Sequence, residues 1–228
     1  MNRNILIIAL VAIVGLGGAF FAFGGKSSQT TDVVITSDTE VSTAADDADA
    51  AALPAIAEMT LGNPDAPVKV TEYASYTCSH CGAFHNEGFK ELKANYIDTG
   101  KVHFTYREVY FDRAALWASM VARCGGEEKF FGISDLIYKG QREWMGSGDP
   151  VQMADGLRKI ARVAGLSSET IDVCLADQGK AQALAEWFQA NADADGIEST
   201  PSFIIGDDRV IGNNYAKLRE VIEAQLGN

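Results

Sequence analysis

Two cysteines three residues apart, Cys78 and Cys81, stand where a strand pattern hands over to a helix pattern. Upstream, Val68-Lys69-Val70-Thr71-Glu72-Tyr73-Ala74 alternates and then turns apolar, as a buried strand does. Downstream, from Phe84 to Ile97, apolar residues recur at helical spacing. Cys78 is therefore expected at or near a helix N-terminus. Unpaired backbone N–H groups and the positive end of the helix dipole favour an anion there. A thiolate is such an anion, so Cys78 is expected to ionise more readily than an ordinary thiol. His80, once protonated, adds a second favourable charge. Cys81 lies one turn further in, is expected to be buried, and is the natural resolving thiol. A pair of this kind has a stabilised reduced form, which is what a disulfide donor needs.

A bare Cys-x-x-Cys also serves zinc sites and structural bridges. Zinc takes about four ligands. His80 and His85 are near, but His80 is expected to face solvent and there is no second Cys-x-x-Cys, so no metal is expected. Two further features narrow the reading. Glu72 lies six residues before Cys78, deep in the strand and near the floor below the thiols. Far downstream, Thr200-Pro201 opens the apolar run Ser202-Phe203-Ile204-Ile205.

Leu61-Gly62-Asn63-Pro64-Asp65-Ala66-Pro67-Val68, the stretch from Glu72 to Cys81, and Thr200-Pro201-Ser202-Phe203 together resemble the DsbA-like branch of the thioredoxin superfamily. Phe130-Phe131 through Gln141 and Trp144 are similar to that branch's helical insert. The resemblance implies an α/β, thioredoxin-like fold with an inserted helical domain. It implies an exported thiol–disulfide oxidoreductase that introduces disulfides into secreted proteins by exchange at Cys78–Cys81, without a cofactor. In that reading Glu72 is a buried acid that relays the proton of Cys81. Thr200-Pro201 is a cis peptide beside the disulfide, and Ser79, Thr200 and Pro201 face the substrate. The implied partners are unfolded or reduced exported proteins and a DsbB-like membrane oxidase that restores the disulfide. One departure stands out: the family's dipeptide between the cysteines begins with proline, and here it is Ser79. The opposite direction, a disulfide isomerase or reductase of a dedicated pathway, therefore stays open. So does a different class, a tethered binding module whose cysteines are inert or hold metal.

The rest of the chain is read in order. Residues 1–25 hold the apolar run Ile5 to Phe23, close to the roughly 20 residues that span a bilayer. They are expected to be an apolar helix, either an uncleaved membrane anchor or a cleaved signal, and on both readings the remainder is periplasmic or otherwise extracytoplasmic. Residues 26–56 are rich in Ser, Thr, Asp and Ala, carry no sustained period, and are expected to form a disordered acidic linker. The thioredoxin-like domain is expected in two parts, 57–111 and 194–228, with the helical insert at 112–193 between them. Within the insert, Asp112, Asp149 and Ser167 are placed as helix caps. Cys124 and Cys174 fall on apolar helix faces there. They are expected to form a structural disulfide, with two buried free thiols or a second redox pair as the alternatives. His85 and His103 are read as structural. The net charge of −12 argues against nucleic acid and anionic membrane surfaces as partners.

Overall fold

The computed structural model describes residues 52–227. The expected apolar segment 1–25 and all but the last five residues of the expected linker lie outside the described residues. Among the described residues no helix is long and apolar enough to cross a membrane.

Five strands form one sheet among the described residues: β1 (Met59–Leu61), β2 (Val68–Ala74), β3 (Val102–Glu108), β4 (Ser202–Ile205) and β5 (Asp208–Ile211), in the order β1-β3-β2-β4-β5. In β3 the buried residues alternate, with Val102, Phe104, Tyr106 and Glu108 on the packed face. β2 has neighbours on both edges, and its C-terminal half, Glu72 to Ala74, is buried on both faces. β2 and β3 run parallel, joined by helices α1 (Ser79–Asn86) and α2 (Gly88–Leu92) and a π-helical turn, Lys93–Ile97. β4 returns antiparallel to β2 and sets Phe203 beside Glu72 and Ser202 beside Tyr73. This pairing delivers Thr200-Pro201, just ahead of β4, to the end of β2 from which the Cys78 turn departs.

The sequence predicts one helix reaching Ile97, but the structure starts it at Ser79 and breaks it at Glu87. Gly88 follows the break, where a Cβ would come within 2.9 Å of the Phe84 ring and 3.0 Å of Tyr215. The chain passes closely between these two, and helix resumes at Gly88.

The insert consists of α3 (Arg113–Arg123), α4 (Gly126–Lys139), α5 (Gln141–Met145), α6 (Pro150–Val163), α7 (Ser168–Ala176) and α8 (Gln178–Ala194). The capping residues act as the sequence suggests. Asp112, Asp149 and Ser167 accept hydrogen bonds from the N–H groups of Ala115, Gln152 and Thr170, which satisfies helix donors left without intrahelical partners. A final helix, α9 (Tyr215–Leu226), buries Leu218 and Ile222 against the sheet. Sheet and insert share one apolar core that runs from Val70 and Phe104 through Phe130 and Ile133 to Trp144 and Leu157.

Two links secure the insert. The first is a buried ion pair: Arg123 donates from Nε to Oε1 of Glu108 at 2.6 Å and from Nη2 to Oε2 at 2.7 Å. Ser119 adds a bond to Oε1 at 2.8 Å, and Arg123 also reaches the Ala57 carbonyl at 2.9 Å. The pair joins α3 to the end of β3 and to the chain's entry into the domain. The second is a disulfide between Cys124 and Cys174, with Cα atoms 5.9 Å apart. It closes a span of 50 residues, which in the chain-entropy picture stabilises by about 4 kcal/mol.

Removing one partner of a buried ion pair leaves an uncompensated charge. Arg123→Met is expected to destabilise the domain by about 3–5 kcal/mol in urea unfolding. Adding Glu108→Leu should recover much of that loss, and a double variant worse than Arg123→Met alone would contradict the assignment.

Candidate functional site

The site assembles at the C-terminal end of β2. Cys78 has extended backbone angles, φ −78° and ψ 119°, and is the N-cap of α1. Its sulfur accepts a hydrogen bond from the backbone N–H of Cys81 at 3.4 Å and lies 3.5 Å from the Thr200 carbonyl. The Cys78 pKa is lowered from the ordinary thiol value to about 5. The hydrogen bond from the Cys81 side chain contributes most. The Thr200 side chain and the backbone N–H groups of Cys81 and His80 add to it, together outweighing the cost of partial burial. Cys81 is fully buried. Its pKa is driven far up, first by burial and then by the neighbouring Cys78 sulfur. Both thiols are free. Their environments push them in opposite directions, which separates a nucleophile from a resolving thiol.

His80 is exposed, and its backbone N–H contributes to lowering the Cys78 pKa. Ser79 is exposed beside the nucleophile. The Thr200–Pro201 peptide is cis. Cys78, Ser79, Thr77 and Thr200 line an open groove of about 510 Å³, with the exposed ring of Phe111 and the polar Asp112, Glu198 and Ser199 on its other walls. Beyond Thr77 a second hollow of about 340 Å³ has an apolar lining of Trp117, Met145, Pro150 and Met153. Thr77 and Asp112 border both hollows and are hydrogen-bonded to each other at 2.7 Å. Cys124 and Cys174 are bonded within the insert and are not part of this site.

Glu72 is fully buried, and the structure gives it a partner that sequence reasoning assigned no role. His85 Nε2 lies 3.0 and 3.1 Å from the two carboxylate oxygens. The imidazole stacks on Tyr138, with ring centres 4.3 Å apart, and on Phe89 at 4.8 Å, while Tyr106 meets it edge-on at 5.5 Å. The Tyr106 and Tyr138 hydroxyls share a hydrogen bond of 2.7 Å. Burial, then the charges of Cys81 and Glu72, push the Tyr138 hydroxyl well up, so this ring lies within electrostatic reach of both. The available signal was spacing: His85 lies seven residues after Cys78, two helical turns along the same face, which points it back toward the strand that carries Glu72. Among the described residues no three His, Cys, Asp or Glu side chains converge as metal ligands would.

A protein-family model described as Thioredoxin matches residues 55–224. A putative protein-disulfide oxidoreductase of Rickettsia bellii is 35% identical over 149 residues, covering 65% of this chain and 56% of that protein. The chain thus matches little more than half the length of this relative. The disulfide bond formation protein D of Bacillus subtilis is 28% identical over 176 residues, covering 73% of this chain and 76% of that one. Among solved structures, alpha-DsbA1 of Wolbachia pipientis superposes with a TM-score of 0.70 at 27% identity, over 77% of this chain and 94% of its own.

The depressed Cys78 value has a signed consequence. A thiol lowered to about 5 in the folded protein adds stability to the reduced form as pH rises above 5, reaching its full value near the ordinary thiol pKa of about 8.5. Above that point Cys81, raised in the folded state, acts in the opposite sense. The urea midpoint of the reduced domain, relative to the disulfide form, should climb from pH 5 to about 8.5 and then stop climbing. A flat difference across that window would contradict the site geometry. Thiolate absorbance near 240 nm should titrate with a midpoint of about 5.

Proposed function

The chain belongs to the thioredoxin superfamily, in its DsbA-like branch of thiol–disulfide interchange proteins, and from that premise we propose that it is an oxidase: it donates the Cys78–Cys81 disulfide to reduced proteins outside the cytoplasm. The observation that carries the direction is the opposed tuning of the two thiols. A thiolate held near pKa 5 makes the reduced form stable and the disulfide a strong acceptor of electrons.

The reaction proceeds in two exchanges. A substrate thiolate attacks the Cys78 sulfur of the disulfide, and the Cys78–Cys81 bond breaks. Cys81 leaves with the electron pair and, being buried, takes up a proton. Glu72, with its His85 partner, is the buried acid that passes this proton to it. The second substrate thiolate then attacks the substrate sulfur of the mixed disulfide and expels Cys78. Cys78 is a good leaving group because its thiolate is stabilised. The substrate ends oxidised by two electrons and the protein ends as the dithiol. Ser79 and Thr200 border the groove in which an extended substrate segment would lie, with the Thr200 backbone available for strand-like pairing and Pro201 holding the cis turn behind it. His80 serves through its main chain.

Unfolded or reduced exported proteins are the proposed substrates, and a DsbB-like membrane oxidase is the proposed source of the returning disulfide. The Cys124–Cys174 bond supports an oxidising compartment. Residues 1–25 would hold the protein at the membrane or direct its export.

Equilibration with glutathione should place the potential nearer about −120 mV, as in DsbA, than about −270 mV, as in thioredoxin. The second value would assign the reductive direction instead. Cys78→Ser should abolish dithiol oxidation, whereas Cys81→Ser should accumulate mixed disulfides when given a disulfide-bonded protein, because its Cys78 thiolate attacks that disulfide, releases one substrate thiolate, and then lacks the resolving thiol. Glu72→Gln should leave alkylation of Cys78 nearly unchanged yet slow reduction of the disulfide about ten-fold or more, as expected for loss of a proton donor. Equal slowing of both steps would remove Glu72 from that role.

A further inference from the structure

We propose that Gln141 is a positioning residue through which the helical insert sets the redox poise of Cys78; this deepens the oxidase reading and rests on it. Gln141 opens α5, a short helix outside the thioredoxin-like sheet. Its side chain is buried, and its amide nitrogen donates to two carbonyls of the active-site turn: Tyr76 at 2.8 Å and Cys78 at 2.9 Å. Both hydrogens of the amide are thereby used, one on each side of Thr77. The Cys78 carbonyl also accepts the first backbone bond of α1, from Gly82 N–H at 3.0 Å. One amide therefore holds the end of the turn and the N-cap together.

The other side of the same amide meets Gly82, the residue after Cys81. A Cβ at Gly82 would stand 2.5 Å from Oε1 of Gln141 and 3.1 Å from its Cδ. Glycine at this position is what lets Gln141 reach the turn. The helix carrying Gln141 is fixed independently of the site. Trp144 donates from Nε1 to the Ile137 carbonyl at 3.0 Å, and Gly156 of α6 lies flush against the Trp144 backbone and Cβ.

This clamp acts unequally on the two redox states. In the disulfide form a covalent bond to Cys81 holds Cys78 against α1. In the dithiol form that tether is gone, and the sulfur is kept in place by the Cys81 N–H at 3.4 Å, the Cys81 side chain, the Thr200 carbonyl at 3.5 Å and the position of its own backbone. Gln141 supplies that position. Its bonds therefore stabilise the dithiol more than the disulfide, which is the asymmetry an oxidase needs.

Gln141→Met keeps the length of the side chain and removes the donor. Glutathione equilibration of the variant should shift about five-fold toward the disulfide form, the differential worth of one hydrogen bond. The thiolate titration of Cys78 should move to higher pH, and the reduced protein should lose more thermal stability than the oxidised one. Gly82→Ala attacks the clamp from the opposite side and should shift the same three readouts in the same direction. The double variant should be little worse than the larger single change, because both remove one interaction. If Gln141→Met fails to fold, Gly82→Ala decides on those readouts alone. Equal destabilisation of both redox forms, with the glutathione equilibrium and the titration unchanged, would overturn the clamp while leaving the oxidase reading intact. Wild-type protein that does not exchange with glutathione would overturn the oxidase reading, and the clamp's role with it.

Discussion

The chemistry hangs on a sulfur taking the place of a helix-capping oxygen. Cys78 has the extended backbone of an N-cap residue, and its Sγ accepts from the N–H three residues on. A helix start leaves donors unsatisfied. A thiolate satisfies them better than a thiol does, so the fold's need for a cap becomes a preference for the ionised form. The same geometry buries Cys81 one turn later, where an ionised sulfur would lose its solvation. The helix start, the burial of Cys81 and the hydrogen bond from its side chain to the Cys78 sulfur together separate two chemically identical residues.

The environment beneath them extends this logic. Two adjacent strands each bury a glutamate, Glu72 in β2 and Glu108 in β3, and each finds a nitrogen-bearing side chain on a packed helix. The pairs differ in what surrounds them. Arg123 holds Glu108 in a bidentate grip reinforced by Ser119, and the guanidinium does not give up its proton, so this pair fastens the insert to the sheet. His85 sits between two aromatic rings, and its Nε2 lies 3.0 and 3.1 Å from the Glu72 carboxylate oxygens. The first pair holds two elements together, and the second is the one proposed for the proton relay.

Much of this arrangement was legible in the chain. The strand before the cysteines, the β3 alternation and the caps Asp112, Asp149 and Ser167 emerge where local pattern places them, because each depends on neighbours within a few residues. What local pattern does not mark is short or non-periodic. β1 is three residues long and owes its existence to pairing with β3. α5 has five residues, too few for an amphipathic period. The break at Glu87 is followed by Gly88, which lies close to Tyr215, more than a hundred residues away, and helical periodicity does not mark that contact. His85 offered a helical spacing from Cys78, but its partner lies on a strand, so spacing alone did not name it.

The amino-acid sequence by itself determined which cysteine caps the helix, because capping is settled within four residues and the strand–turn–helix order fixes which thiol occupies the N-terminus. It also determined where the helices after Asp112, Asp149 and Ser167 begin, since caps are local. Only the tertiary structure decided what the sulfur meets. Thr200 reaches Cys78 because antiparallel pairing of β4 with β2 returns a segment 122 residues distant. Glu72 is joined to His85, and the turn to Gln141, because packing the helices on the sheet excludes water. Each polar group so enclosed must then find a partner among whatever residues the fold has brought alongside it.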